Sequence, residues 1–275
     1  MEPHGAPWTG ILAPPIPGRA PRPREVGVTV VMDKGLGPAA CQDLLAVSGA
    51  HIDFWKFGFG TAQLHPPARL AEKLGAIRAA GVCPYPGGTL LEAAEVQGQA
   101  EAFLERARIL GFGAAEVSEG TIPLSPRRRR ELIATARGLG LRVLAEVGKK
   151  DPAAQPSPEA LAEQALADLE AGAEYVIIEG RESGRGVGIY GPAGQVREEW
   201  VEILVASLPV EKVIWEAPRK EQQQALILRF GPNVNLGNIP PEEAMALEAL
   251  RVGLRGDTLA VTLGRGLAPG GVPAD

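Results

Sequence analysis

The segment LRVLAEVGKKDP (residues 141–152) passes from an apolar, strand-like run into a carboxylate, Glu146, and a pair of lysines. The same transition recurs in AEYVIIEGRESG, which reaches Glu179, and in EKVIWEAPRK, which reaches Glu216. A short apolar run bounded by polar or turn residues is typical of a buried strand. The recurrence therefore indicates a series of buried strands, each ending at charged side chains.

Segments with helical periodicity separate these strands, and the strand–helix unit occurs eight times in the sequence. The predicted strands lie in VGVTVVMDKG, HIDFWKFG, VCPYPGG, GAAEVSEG, LRVLAEVG, EYVIIEG, KVIWEA and NVNLGNI, and the helices lie in PAACQDLLAVSG and at residues 66–80, 92–110, 125–138, 158–172, 193–207, 219–230 and 241–252. Strict alternation implies a parallel sheet, and eight units predict a single-domain α/β fold, the (β/α)8 TIM barrel. An open doubly wound sheet usually has fewer strands, and no glycine-rich dinucleotide motif opens the first helix.

Composition limits the class of protein and its partners. Hydrophobic residues make up 45% of the 275 residues, and 28 basic against 33 acidic residues leave no excess of positive charge for nucleic acid. No stretch is apolar enough to span a membrane or to act as a signal peptide. Cys41 and Cys83 lack CxxC spacing and are expected to be reduced thiols. We therefore expect a cytoplasmic protein that binds neither nucleic acid nor membrane.

The barrel is expected at residues 25–262. An extended, Pro/Arg-rich N-terminal tail at residues 1–24 and a frayed C-terminal tail at residues 263–275 are expected to flank it. The basic run RRRR (residues 127–130) is interpreted as a solvated helix face. Barrels of this size often associate, and exposed helix faces would permit a homo-oligomer.

In a (β/α)8 barrel the carboxyl ends of the strands converge on one mouth, where catalytic residues lie. Polar residues occupy all eight of these ends. They are Asp33 and Lys34, Lys56, Thr89 and Glu92, Glu116 and Ser118, Glu146 with Lys149 and Lys150, Glu179 and Arg181, Glu216 with Arg219 and Lys220, and Asn235 with Asn238.

Four of these residues, all glutamates, are predicted to point into the barrel. An aliphatic residue lies two positions before each of Glu116, Glu146, Glu179 and Glu216, and residues two apart in a strand share a face. Carboxylates that converge in a confined mouth repel one another unless cations lie among them. Oxygen ligands favour Mg²⁺. The open alternative is an ion-pair network that only closes the top of the barrel.

Glycine-rich loops at the strand ends predict anion binding. GRESGRGVG (residues 180–188) combines glycines with Arg181 and Arg185, which can clamp a phosphate or carboxylate, and LGNI follows at the eighth strand, where many barrels bind phosphate. A metal, lysines for proton transfer and anion-binding loops suit a small anionic substrate that passes through an enolate-like state. The residues therefore favour a lyase.

Eight segments together resemble the phosphosulfolactate synthase family, over about residues 28–258. They are KFGFGT, PGGTLLE, EVSEGT, EVGKK, EGRESG, IWEAPRKEQQ, NVNLGNI and LRGDT. The resemblance implies an enzyme that adds sulfite to phosphoenolpyruvate in a Mg²⁺-dependent reaction. The product, (2R)-phospho-3-sulfolactate, leads towards coenzyme M or sulfolactate. Bacterial relatives and plant heat-tolerance relatives share these motifs, so the motifs alone do not identify the physiological product.

The implied mechanism gives roles to the residues already identified. Sulfite attacks the methylene carbon, and Lys149 or Lys150 protonates the neighbouring carbon. The implied metal ligands are Glu116, Glu146 and Glu179, followed by Asp33 and Glu216. Arg181, Arg185 and the region of Gly237 and Asn238 are implied to hold phosphate, and Lys34 and Lys56 to receive sulfite. Two alternatives remain open: another metal-dependent lyase that acts on a phosphorylated enol or keto acid, and a non-catalytic stress-related barrel.

Overall fold

The computed structural model describes residues 7–264, in which eight parallel strands form one barrel with helices around it. The strands are β1 (Thr29–Asp33), β2 (Phe54–Phe57), β3 (Cys83–Pro86), β4 (Ala114–Val117), β5 (Arg142–Val147), β6 (Tyr175–Ile178), β7 (Val213–Glu216) and β8 (Asn235–Ile239). The hydrogen-bonded order is β3-β2-β1-β8-β7-β6-β5-β4, with all pairs parallel. The predicted (β/α)8 barrel is therefore confirmed, with a seam between β3 and β4.

Two prolines explain this seam. The amide of Cys83 donates to the carbonyl of Asp53 on the β2 side at 3.0 Å, so the alternate residues Pro84 and Pro86 face β4. Proline has no amide proton, and β3 therefore donates no ladder hydrogen bond to β4. The amide of Gly113 donates to the carbonyl of Pro84 at 2.9 Å, and this bond joins the two strands.

Ten α-helices occur in residues 7–264. They are α1 (Pro38–Ser48), α2 (Pro67–Ala79), α3 (Gly88–Val96), α4 (Ala100–Leu110), α5 (Pro126–Gly138), α6 (Pro158–Ala171), α7 (Glu198–Ser207), α8 (Lys220–Phe230), α9 (Ala244–Arg251) and α10 (Gly256–Gly264). None of the helices in this part of the chain is long and apolar enough to cross a membrane.

Two predicted helices differ from the structure for conformational reasons. The helix predicted at residues 92–110 is divided into α3 and α4, because Gly98 between them has a φ of 65°. The helix predicted at residues 193–207 begins at Glu198, because the preceding loop contains four glycines with positive φ. Left-handed glycines interrupt the helical backbone, and they leave a long loop after β6 at the mouth.

The barrel has two apolar cores that face opposite sides of the same strands. The inner core fills the barrel below the mouth with Val28, Val30, Phe54, Tyr85, Ala114, Leu144, Tyr175, Ile177 and Ile214. The outer core packs the other strand faces, including Trp55 and Trp215, against the helices. Successive strand residues alternate between these cores, so the inner faces of β1 to β7 carry apolar residues below the mouth.

The basic run at residues 127–130 does not form a uniformly solvated face. Arg127 and Arg130 are exposed, and Arg128 pairs with Glu95 at 2.8 Å, but Arg129 is only 1% exposed. The interpretation as a solvated face is therefore wrong for Arg129. A four-residue run covers more than one turn of α5, so one of its members faces the barrel.

Residues 19–24 pack against the opposite end of the barrel from the mouth. Arg19 Nε lies 2.9 Å from Glu248 Oε1, and Arg24 Nη1 lies 3.3 Å from Asp53 Oδ1. Arg22 donates to backbone carbonyls of the loops that precede β2 and β3. Residues 1–6 of the predicted N-terminal tail and residues 265–275 of the predicted C-terminal tail lie outside the described residues, and the boundaries at 24 and 262 stay predictions.

Candidate active site

A cavity of about 280 Å³ opens at the carboxyl ends of the strands. It is lined by Met32, Lys56, Phe59, Gly87, Gly88, Thr89, Glu116, Thr121, Glu146, Lys150, Glu179, Arg181, Glu182, Glu216 and Asn238. These residues come from the ends of separate strands and from the loops that follow them. This is the end of the barrel where the fold places its chemistry.

Four glutamates form the floor of the cavity, as the strand periodicity predicted. Glu116, Glu146, Glu179 and Glu216 are each 2% exposed, and each lies above a residue of the inner core. Oxygen atoms from Glu146, Glu179 and Glu216 all lie within 4.8 Å of one another. The structure therefore brings three carboxylates to one point, with the fourth beside them.

Lys56 from β2 neutralises part of this charge. Its Nζ lies 2.9 Å from Glu116, 3.3 Å from Glu146 and 3.5 Å from Glu216. Burial alone would lower the pKa of Lys56, but the three carboxylates outweigh burial and raise the pKa well above its ordinary value. Lys56 is therefore a permanent ammonium group among the glutamates.

One lysine cannot balance four buried carboxylates. Burial raises the pKa of Glu116 to about 7, and burial together with the charge of Glu146 raises the pKa of Glu179 well above its ordinary value. The pKa of Glu146 is lowered to about 2, because Lys56 and Lys150 outweigh the effect of burial. The cluster therefore retains protons at neutral pH that a bound cation would displace.

Three buried oxygens of the cluster have no hydrogen-bond partner within the part of the chain that the structure describes, namely Oε2 of Glu116, Oε1 of Glu146 and Oε2 of Glu179. Oε2 of Glu116 lies 2.9 Å from the ammonium group of Lys56, so the oxygens of Glu146 and Glu179 are the two without a close cation. A buried carboxylate oxygen without a donor is costly, and such an atom calls for an ion or a water. The donor set is entirely oxygen, which suits a hard divalent cation such as Mg²⁺ better than zinc. Glu146, Glu179 and Glu216 therefore fit the predicted metal.

Lys149 and Lys150 point in different directions. Lys150 lines the cavity, where its Nζ donates to Thr89 Oγ1 at 2.7 Å. Lys149 is not among the lining residues, and its Nζ binds Glu119 through the backbone carbonyl at 2.7 Å and the carboxylate at 3.0 Å. Burial would lower the pKa of Lys150, but Glu146 and Glu179 raise it. Lys150 is therefore a protonated group directed at the site.

The structure turns Asp33 away from the mouth, which corrects its place among the candidate ligands. Met32 faces the cavity, so its neighbour Asp33 faces the helix layer, where Oδ2 accepts from Trp55 Nε1 at 3.0 Å and pairs with Lys73. Oδ1 of Asp33 accepts from the amides of Gly35 and Leu36 at 2.8 Å each. Asp33 therefore holds the loop after β1.

Lys34 and Arg185 are predicted to bind the substrates, but neither residue lines the cavity. The structure therefore corrects their predicted position. Lys34 pairs with Glu182, which does line the cavity, and both side chains are 50% exposed. Arg185 is exposed on the loop after β6. Long side chains on loops follow the path of the loop rather than the two-residue period of a strand, so strand reasoning does not extend to them.

Of the remaining residues predicted to bind phosphate, two line the cavity and one lies within β8. Arg181 lines the cavity, and its Nη1 donates to the carbonyl of Lys150 at 2.9 Å. Asn238 also lines the cavity, with a φ of 56° and with a buried Oδ1 that has no partner among the described residues. Gly237 lies within β8, where its carbonyl accepts from the amide of Ala217 at 2.9 Å.

The start of α3 contributes more contacts to the site than the strand pattern predicts. The amide of Gly88 donates to Glu116 Oε1 at 2.7 Å, and Thr89 is the hydrogen-bond acceptor of Lys150. Glu92 of the same helix accepts from the amides of Gly120 and Thr121, which hold the loop after β4. The motif PGGT contained the signal, because adjacent glycines permit a close approach to other groups.

The comparisons with known proteins agree in family and in fold. A sequence profile of the (2R)-phospho-3-sulfolactate synthase (ComA) family matches residues 17–257. A phosphosulfolactate synthase of Methanothermobacter thermautotrophicus is 47% identical over 88% of this chain and 95% of its own. A phosphosulfolactate synthase of Bacillus subtilis is 40% identical over 88% of this chain and 96% of its own.

A solved structure shows the same architecture at a much greater sequence distance. The YdjI aldolase from Escherichia coli K12 aligns with a TM-score of 0.53 and 12% identity, over 90% of this chain and 92% of its own. At that identity the likeness concerns the fold alone. The chain is therefore a barrel by structure, and it is similar to sulfolactate-forming enzymes by sequence.

Proposed function

The chain belongs to the (2R)-phospho-3-sulfolactate synthase family of enzymes, and from that membership we propose that it adds sulfite to phosphoenolpyruvate. The product is (2R)-phospho-3-sulfolactate. The observation that carries the proposal is the group of Glu146, Glu179 and Glu216, buried at the floor of a cavity whose other charged groups include two lysines. Such a cavity suits a small anion that reaches the floor together with a divalent cation.

Glu146, Glu179 and Glu216 would hold Mg²⁺ through their carboxylate oxygens. Support comes from the unpartnered oxygens of Glu146 and Glu179 and from an all-oxygen donor set. When bound, the cation supplies stabilisation of the negative charge that develops on the substrate carboxylate during addition. Glu116 is engaged by Lys56 and by the Gly88 amide, so it orients its neighbours rather than offering a free ligand.

Lys150 supplies the proton in this proposal. The sulfur of sulfite forms a bond to the methylene carbon, and the electron pair of the double bond moves onto the neighbouring carbon and its carboxylate. That carbon then takes a proton from Nζ of Lys150, and the amine recovers a proton from solvent. The raised pKa of Lys150 keeps it protonated before the reaction, and its bond to Thr89 directs the ammonium group into the cavity.

Three further groups would hold the anionic substrates. Lys56 contacts the glutamates of the floor and would attract sulfite, whereas Arg181 and Asn238 also line the cavity and would contact the phosphate. The start of α3 adds backbone amides and the Thr89 hydroxyl on the other side of the cavity, and a helix amino terminus favours negative charge. Substrate would thus be held by groups on several sides of the cavity.

The deciding experiment mixes the purified protein with phosphoenolpyruvate, sulfite and Mg²⁺ and follows the loss of the enol absorbance. We expect loss that requires all three components and a product that contains both sulfonate and phosphate. Consumption of phosphoenolpyruvate without sulfite would favour another metal-dependent lyase. No consumption, and no change in melting temperature with phosphoenolpyruvate or Mg²⁺, would favour a non-catalytic barrel.

A further inference from the structure

Arg129 of α5 is a buried arginine that touches the floor of the site from behind. Its side chain is 1% exposed, and Nε and Nη2 bind Asp168 of α6 at 2.8 and 2.7 Å. Nη2 also donates to the backbone carbonyl of Glu146 at 2.8 Å. Gln164 Nε2 adds a bond to Asp168 at 2.9 Å. Two helices therefore hold one guanidinium against the end of β5.

The carbonyl of Glu146 needs this donor because of its place in the sheet. The carbonyls of Val143 and Val147 accept from amides on the β6 side, so the carbonyl of Glu146 faces β4. The last register pair between β4 and β5 is Val117 with Ala145, and the two chains separate beyond it. Arg129 occupies the position where the next donor of the ladder would lie.

We propose that Arg129 is a positioning residue that fixes the direction in which the Glu146 side chain enters the mouth. The carbonyl and the side chain of Glu146 share one Cα, so a carbonyl held at 2.8 Å limits rotation of the backbone that carries the carboxylate. That carboxylate lies 3.3 Å from Lys56 and belongs to the three-glutamate group. Partners behind a ligand typically contribute 10- to 100-fold to affinity or rate.

The catalytic consequence of this inference rests on the proposed function, whereas the effect of Arg129 on the position of Glu146 does not.

Arg251 provides a matched comparison within the same barrel. It is also fully buried, and its Nη1 donates to the carbonyls of Pro232 and Val234 at 2.8 and 2.6 Å. Those carbonyls lie before or at the start of β8, at the end of the barrel opposite the mouth. Arg251 is therefore a buried arginine that holds backbone carbonyls, as Arg129 does, but it does not lie beneath the site.

The test uses the double variant Arg129→Met/Asp168→Leu. Replacing a buried ion pair by apolar residues of similar volume is often neutral for stability, so this variant removes the clamp without leaving an unpaired charge. We expect kcat to fall about 10- to 100-fold with the KM for phosphoenolpyruvate within about threefold of wild type. Arg251→Met should lower the melting temperature while kcat stays within about twofold.

A crystal structure of the double variant supplies a readout that is independent of activity. We expect the Glu146 carboxylate to leave its contact with Lys56 Nζ, which is 3.3 Å in the wild type. Wild-type kcat in the folded double variant overturns the proposal, and so does an unchanged contact between Glu146 and Lys56. Should wild-type protein show no sulfite-dependent reaction, the proposed function fails, and the crystal structure still decides the role of Arg129.

Discussion

Lys149 and Lys150 are adjacent in the chain, yet only one of them reaches the cavity. Nζ of Lys150 lies 2.7 Å from Thr89 Oγ1 among the lining residues, whereas Nζ of Lys149 lies 3.0 Å from Glu119 Oε1 outside that lining. The two side chains leave the loop after β5 in different directions. This difference offers a matched pair of substitutions in one segment of chain.

Lys150→Gln is expected to lower kcat by about 100-fold or more, because a general acid contributes about 10² to 10⁴ to rate. Lys149→Gln removes a partly exposed ion pair with Glu119 and is expected to change kcat less than tenfold. Steady-state kinetics with phosphoenolpyruvate and sulfite measures both. Equal losses in the two variants would contradict the assignment of Lys150 as the proton donor.

Glu179→Gln is expected to abolish stabilisation by Mg²⁺. At a concentration 100-fold above its Kd, a ligand adds about 2.7 kcal/mol, which corresponds to roughly 5 °C or more for a chain of this size. Without Mg²⁺ the variant should be as stable as wild type or more stable, since it removes one of the crowded buried carboxylates. Differential scanning calorimetry with and without Mg²⁺ measures both effects.

Glu182→Gln is the control for that experiment. Glu182 lies three residues away, but its side chain is 50% exposed and pairs with Lys34 rather than with the buried group. We expect the variant to retain the Mg²⁺-dependent increase in melting temperature. An increase that survives in Glu179→Gln and is lost in Glu182→Gln would place the cation at the rim instead of the floor.

Asp33→Asn is expected to destabilise the protein at neutral pH by about 3–5 kcal/mol, because it leaves the buried ammonium of Lys73 without its counter-charge. Burial would raise the pKa of Asp33, but hydrogen bonds from Lys73 and from the amides of Gly35 and Leu36 hold it below its ordinary value. A lowered pKa stabilises the fold above the unfolded value of about 3.9, and this stabilisation is lost as pH falls through the folded pKa.

The difference in unfolding free energy between wild type and Asp33→Asn should therefore be largest near pH 7 and should shrink below about pH 4. Urea unfolding over this pH range measures it. Glu72→Gln serves as control, because Glu72 pairs with Arg69 on the exposed face of α2 and such pairs contribute about 1 kcal/mol or less. A difference that grows on acidification would contradict the lowered pKa of Asp33.

Gly88→Ala is expected to lower both activity and stability. A Cβ atom at this position would lie 2.3 Å from Ser118 Oγ and 2.7 Å from Glu116 Oε1, so one of these groups must move. Gly75→Ala on α2 is the matched control, because nothing lies within 4 Å of its Cβ, and alanine there should stabilise the helix by up to about 1 kcal/mol. Full activity in Gly88→Ala would show that Glu116 tolerates displacement.

The barrel and the inward direction of the glutamates were predictable because they depend on local periodicity. Each strand alternates its faces every two residues, so an aliphatic residue two positions before Glu146 or Glu216 is enough to orient that carboxylate. Asp33 ends β1, and the same alternation would have excluded it had Met32 been recognised as the inward residue. The same two-residue period, continued past Glu146, would direct Lys150 rather than Lys149 inwards, but both lysines lie beyond the end of β5, where the period no longer applies.

What the sequence determined by itself is thus the repeating unit, the strand faces and the set of charged groups at the mouth, since these follow from short-range patterns along the chain. Only the tertiary structure decided that Arg129 is buried beneath Glu146, that Lys34 pairs with Glu182 and that Thr89 directs Lys150. These contacts join residues 17, 148 and 61 positions apart. Their geometry depends on how loops and helices pack around the closed sheet, which no local period encodes.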